Sequence, residues 1–123
     1  MKKIFSFFSQ HSSSTLVLAV IWTILIYIGC TLPGKSLPSV NVFNHFDKVV
    51  HITFFYIFFI LWNLPFASST KKTFILMGVS VTYGFGIEFY QLFFVEGRSF
   101  DVWDGLADST GAALGWLSVK LYR

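Results

Sequence analysis

The chain has 123 residues, of which 54% are hydrophobic, 20% aromatic and only 12% charged, where a soluble domain carries about 25% charged residues. A water-soluble domain this short has too little interior to hide so many Phe side chains, whereas lipid solvates them from outside, so the composition predicts a single all-α integral membrane domain over residues 1–123. The net charge of +3 comes from nine basic residues scattered among apolar runs; they form no stripe of the kind a phosphate backbone needs, which argues against nucleic acid as a partner.

In chain order, four segments are candidates to span the bilayer, over about 15–32, 49–67, 73–95 and 101–121. The first two are uncharged runs close to the roughly 20 residues a span requires. The third holds Glu88 and Gln91. The fourth is the weakest by hydropathy, because it includes Asp101, Asp104 and Asp108. Its support comes from Ala107, Gly111 and Gly115, whose four-residue spacing puts small residues on one helix face and lets another helix approach closely. A re-entrant or amphipathic segment ending at the surface is the competing reading. Pro33-Gly34 and Gly97-Arg98 mark turns between the runs.

The stretch Ile28-Gly29-Cys30 after Lys2-Lys3 loosely resembles a lipoprotein cleavage site, but bulky Tyr27 stands where a small aliphatic residue belongs, so a retained first span is expected. Cys30 is the sole cysteine, which excludes an internal disulfide.

The basic residues orient the chain. With four spans, Lys2, Lys3, Lys71, Lys72, Lys120 and Arg123 share one side, and Lys35, Lys48 and Arg98 the other. Positively charged loops stay inside. Both termini are therefore expected in the cytoplasm, and a bacterial cytoplasmic membrane is the expected location. All six acids, Asp47, Glu88, Glu96, Asp101, Asp104 and Asp108, then fall outside or in the outer halves of the helices.

Several polar residues enter these helices. In DKVVH, Asp47 and His51 lie four apart on one face. Asp47 suits a helix N-terminus and Lys48 can extend to the interface, but His51, a turn further in, needs a hydrogen-bond partner or a wet cavity. Glu88 and Gln91 share a face of the third span. A carboxylate two turns from a helix end is expensive unless paired, protonated or hydrated, and pairing with His51, Lys48 or Arg98 is the structural alternative to a functional role. Ser99 or Asp101 is placed to cap the fourth helix. Asp101, Asp104 and Asp108 follow i, i+3, i+7 and form one stripe that is expected to face the bundle interior. Glu96 reads as a solvated loop acid.

These three motifs, DKVVH, GIEFYQ and GRSFDVWDGLADSTGAALG, in this order on consecutive spans, resemble the VanZ-like membrane proteins over roughly residues 20–119. Position by position the resemblance picks out Asp47, Lys48, His51, Glu88, Gln91, Gly97, Arg98, Asp101, Asp104 and Gly111. The chain departs from the pattern at Glu96, where proline is common, and at Asp108, where asparagine is usual. The family's founding member is associated with low-level teicoplanin resistance, which implies a cell-envelope role. It does not name a reaction.

Two functions from different classes therefore stand side by side. One is a cell-envelope protein whose outward-facing polar cavity binds a lipid-linked or cell-wall ligand through Asp47, Lys48, His51, Glu88, Gln91, Arg98, Asp101, Asp104 and Asp108, and which influences susceptibility to teicoplanin-type glycopeptides. The other is a membrane-embedded hydrolase or transferase with His51 and Glu88 as acid-base candidates and Asp101 and Asp104 as candidate metal ligands; the chain has no HExxH or nucleophile motif to support it. A bland third reading has the charges only lock the helices together. Apart from membrane lipids and such a ligand, the sequence identifies no partner, cofactor or oligomeric state. Four short spans leave little room for a transporter.

Overall fold

The computed structural model describes residues 1–32 and 46–123, and within them the chain forms five helices and no strand: α1 (Lys2–Gln10), α2 (Ser12–Thr31), α3 (Phe46–Asn63), α4 (Thr70–Phe94) and α5 (Val102–Tyr122). The Pro33-Gly34 turn and Lys35 lie outside the described residues. Three helices, α2, α3 and α4, are long and apolar enough to cross a membrane. The outward faces of α2 and α4 carry Val17, Ile21, Leu25, Phe74, Ile75 and Phe93, all exposed, an extent of apolar surface that a monomer in water avoids and that lipid accommodates.

The first helix has no counterpart among the four expected segments. Lys2, Lys3, Ser6 and Ser9 alternate with Ile4, Phe5, Phe7 and Phe8 over nine residues, too few to span and enough for a short amphipathic helix at an interface. His11 separates it from α2, and the Thr15 hydroxyl bridges the break by donating to the Phe8 carbonyl at 2.7 Å and the His11 carbonyl at 2.9 Å. Phe5 is buried beside Phe59, Leu64 and Val119 and meets Tyr122 edge-on at 6.2 Å.

The other boundaries have local causes. α3 ends at Asn63 because residue 64 precedes Pro65, and a residue before proline is biased away from helical geometry. α4 begins at Thr70 and takes in Lys71 and Lys72, expected as a loop. Between α4 and α5 the Arg98 N–H donates to the Val95 carbonyl at 3.3 Å, a tight turn whose third residue, Gly97, has φ 75°. Only glycine adopts that conformation freely.

Lipid tails are as apolar as the helix surfaces, so the bundle is held by close packing and interhelical hydrogen bonds rather than by water exclusion. α3 and α5 are the most intimately packed pair. At Gly111 a Cβ would strike the Ile52 carbonyl oxygen and crowd the Tyr56 amide, and at Gly115 it would stand 2.9 Å from Phe59 Cβ. The small-residue face read from the sequence is thus where the two backbones meet. Gly105 accepts the Phe85 ring from α4 in the same way. Polar ties fasten the rest: Trp22 Nε1 donates to the Phe54 carbonyl, Tyr83 to the Thr23 carbonyl and Trp62 Nε1 to the Thr23 hydroxyl, all within 2.7–2.9 Å.

The two ends of the bundle differ in charge. At one end the Arg123 guanidinium donates to the Asn63 carbonyl and side-chain oxygen at 3.0 and 2.9 Å and to the Phe66 carbonyl, close to α1, Lys71 and Lys72. At the other, Lys48 meets Asp47, Asp101 and Asp104. The acids and most of the basic residues occupy opposite ends.

Candidate functional site

The acidic end is built where α3 and α5 begin. Asp101 is the N-cap of α5, and its carboxylate accepts from the Trp103 N–H at 2.9 Å. In a capping box the residue three positions on returns the favour by accepting from the N-cap's own N–H. Here Asp104, at that position, turns instead to Lys48, and the Asp101 N–H donates to Glu88 Oε2 of α4 at 3.0 Å. A second helix therefore completes the cap.

Lys48 lies above this cap. Its ammonium donates to Asp47 and Asp101 at 2.8 Å each and to Asp104 at 2.5 Å. An ammonium has three N–H bonds, and each is directed at a carboxylate. Asp101, which lies outside the helical segment it caps, has its carboxyl held below the usual carboxylate range, chiefly by the Lys48 hydrogen bond. One turn deeper, His51 Nδ1 is 2.8 Å from Asp108 Oδ1, while its Nε2 stands 3.7 Å from Asp104 Oδ2. Asp108 is fully buried over Gly84 of α4, where a Cβ would come within 2.8 Å of both Asp108 Cβ and Oδ2. Gly84 therefore leaves the carboxylate its room.

Glu88 and Asp108 each have one oxygen engaged and one without a hydrogen-bond partner, Glu88 Oε1 and Asp108 Oδ2, both buried. His51, Glu88 and Asp108 bring one ligand atom each within 4.8 Å of one another, and Asp47, Asp101 and Asp104 form a second such set. The second set already encloses the Lys48 ammonium. Of the two aspartates singled out in the sequence as metal candidates, both belong to that filled set.

Two other residues singled out in the sequence sit apart. Gln91 Nε2 donates to the Cys30 carbonyl of α2, an interhelical tie rather than part of the cluster. Arg98 Nε donates to the Leu32 carbonyl at 3.2 Å, so the guanidinium braces the end of α2. Glu88 likewise finds its hydrogen bond in a backbone N–H and not in an ion pair with Lys48 or Arg98. His51, Glu88 and Asp104 converge; Arg98 does not join them.

Beside the cluster a groove of about 960 Å³ runs along α5, lined by Lys48, Asp101, Trp103, Leu106, Ala107, Ser109, Thr110 and Ala113. Lys48 and Asp101 are its charged residues, and the rest of its wall is apolar apart from two hydroxyls. Ser109 and Thr110 were not singled out in the sequence, because a hydroxyl in a helix usually bonds back to the preceding turn, as both do here. Gly84 was also missed, although it stands four residues before Glu88 and so on the same face.

The interlocking of DKVVH on α3, Glu88 on α4 and the aspartate stripe on α5 involves the motifs that carry the resemblance in the sequence. No curated protein and no solved structure matches the chain. A family model described as VanZ/LLP1 matches residues 2–123, and with it covering nearly every residue, this helical membrane chain belongs to the VanZ/LLP1 family.

Proposed function

We propose that the chain is a single four-span domain with both termini in the cytoplasm of a bacterial cell, and that the groove beside Lys48 and Asp101 faces outward and binds a lipid-linked or cell-wall ligand. Two features of α5 support its being a span. Its 21 residues cover about 31 Å, the thickness of a hydrocarbon core. Exposed Trp103 near one end and Trp116 and Tyr122 near the other suit the two interfacial belts where such rings collect. The separation of the Lys48 cluster from Arg123, Lys71 and Lys72 agrees with the excess of basic residues on the inner side.

The observation that carries the ligand reading is the chemistry of the groove mouth. All three Lys48 donors are engaged, so a phosphate would reach the ammonium only by displacing a carboxylate. The Asp101 carboxylate in the groove lining, by contrast, is an acceptor suited to hydroxyl and ammonium groups. The groove therefore fits the sugar or amine-bearing part of an amphiphile, with its chain along Trp103, Leu106 and Ala113. A cell-wall precursor held in this way would be presented differently to a teicoplanin-type glycopeptide, and deleting or overproducing the chain would shift susceptibility to that drug.

The test uses the chain in nanodiscs with a polyprenyl-linked disaccharide and, in parallel, a polyprenyl phosphate, read by native mass spectrometry. Preferential retention of the glycan-bearing lipid, lost in Asp101→Asn, is expected. Equal retention of both lipids, or of neither, refutes the reading. Orientation is tested separately in a Cys30→Ser background: a single cysteine at position 98 should react with an impermeant maleimide on intact cells, and one at position 71 only after lysis.

A further inference from the structure

Among the described residues, five carboxyl groups, on Asp47, Glu88, Asp101, Asp104 and Asp108, surround one ammonium and one imidazole. Even with His51 protonated, ionising all of them leaves negative charge uncompensated. The imbalance is concentrated in the deeper layer, since Lys48 serves the outer three acids. Buried charge of this kind is tolerated when paired or when it coordinates a metal.

The deeper layer has the features of a prepared ligand set. Asp108 Oδ1 is engaged by His51 Nδ1 at 2.8 Å and Glu88 Oε2 by the Asp101 N–H at 3.0 Å. That fixes how each carboxylate points and leaves Asp108 Oδ2 and Glu88 Oε1 buried with no partner. The Asp101 N–H is an outer contact of the kind that orients a metal-binding carboxylate, whereas the His51–Asp108 contact joins two candidate ligands, and an ion bound at His51 Nδ1 would take the place of the proton between them. Leaving two buried acceptors unsatisfied is costly, and Asp108 Oδ2 lies so close to Gly84 that a Cβ there would stand 2.8 Å from it. One ligand atom from each of His51, Glu88 and Asp108 falls within 4.8 Å of the other two. Ligands held about 2.0–2.2 Å from a first-row ion in a tetrahedral arrangement stand about 3.3–3.6 Å apart. The three side chains therefore draw together on binding, Glu88 together with the Asp101 N–H that it accepts.

We propose that His51, Glu88 and Asp108, one residue each from α3, α4 and α5, bind a first-row divalent cation beneath the Lys48 layer. One imidazole nitrogen with two carboxylate oxygens suits Zn²⁺ or Mn²⁺ and is too nitrogen-rich to favour Ca²⁺. The site does not depend on the groove's ligand, and its test contains none.

The full chain, purified without a polyhistidine tag, stripped with chelator and reconstituted in nanodiscs, is titrated with Zn²⁺ and Mn²⁺ by calorimetry. One ion per chain is expected, with affinity weakened at least tenfold in Glu88→Gln and in Asp108→Asn and kept within threefold in Asp47→Asn, which alters only the outer set. Absence of stoichiometric binding overturns the proposal and leaves protons as the neutralising charge. Binding lost in Asp47→Asn but kept in Asp108→Asn overturns it too. Should the inner variants fail to accumulate, pulsed EPR of Mn²⁺ on the wild-type chain decides: coupling to an imidazole nitrogen supports the inner site, and its absence points to the outer set, which is all carboxylate.

Discussion

Replacing Lys48 by methionine keeps the apolar stem and removes the one ammonium that the described residues place among the acids. The three bonds lost differ in value because their partners differ in exposure. The Asp47 side chain is 61% exposed and that of Asp101 37%, whereas that of Asp104 is 11% exposed and accepts at 2.5 Å. An exposed pair contributes about 0–1 kcal/mol, so Asp47 and Asp101 together account for about 1 kcal/mol. A largely buried charge-assisted bond contributes about 1.5–3 kcal/mol. The sum predicts a loss of about 2–4 kcal/mol for Lys48→Met, a factor of roughly 30 to 1000 in the folding equilibrium.

Much of that loss is the cost of abandoning Asp104 as an unpaired charge. Asp104→Asn in the Lys48→Met background should therefore recover part of it, with a coupling energy of about 1.5–3 kcal/mol in the double-mutant cycle. Equilibrium unfolding of the purified chain in detergent by steric trapping gives the required differences. The reasoning is refuted if Lys48→Met stays within about 0.5 kcal/mol of wild type, the size of an ordinary surface change, or if Asp47 couples to Lys48 more strongly than Asp104 does.

Gly111→Ala should destabilise by about 1–3 kcal/mol, because its methyl meets backbone atoms of Ile52 and Tyr56 that cannot step aside; Gly78→Ala, with nothing within 4 Å, should be neutral or gain up to about 1 kcal/mol from helix propensity, and thermal unfolding of the two side by side checks the contrast. Glu88→Ala removes the acceptor of the Asp101 N–H and should cost about 1–3 kcal/mol, while Glu88→Gln, which still offers an amide oxygen, should cost less than about 1 kcal/mol in the same assay. The depressed Asp101 carboxyl contributes stability that is fully present above the ordinary aspartate value of about 4 and is lost as pH falls through its lower folded value. Unfolding followed across that acid range should therefore be steeper in wild type than in Asp101→Asn.

What was legible in the sequence was what repeats at helical spacing. Asp101, Asp104 and Asp108 follow i, i+3, i+7 and do line the face toward α3, with Asp104 and Asp108 buried. Ala107, Gly111 and Gly115 likewise mark the close approach. Glu88 was legible as an anomaly and not as a contact, because its hydrogen bond goes to the Asp101 backbone and a backbone N–H leaves no letter in the sequence. Arg98 misled for a related reason: a guanidinium beside acids suggests an ion pair, but the Gly97 turn directs it to the Leu32 carbonyl. α1 was missed because nine residues present barely two turns of pattern, and its anchoring partners, Phe59, Leu64 and Val119, lie far along the chain.

The concentration of acids where α5 begins follows from how that helix is capped. Asp101 satisfies an N–H of its own helix while its own N–H is satisfied by Glu88 from α4, and its second oxygen accepts from Lys48 of α3. The start of α5 is thus defined by three helices at once. Glu88 links this cap to the deeper layer, since one of its carboxylate oxygens lies within 4.8 Å of ligand atoms of His51 and Asp108. A carboxylate moves as one plane, so a shift of Glu88 also moves the acceptor of the Asp101 N–H, and Glu88→Ala should therefore disturb the start of α5 as well as the deeper layer.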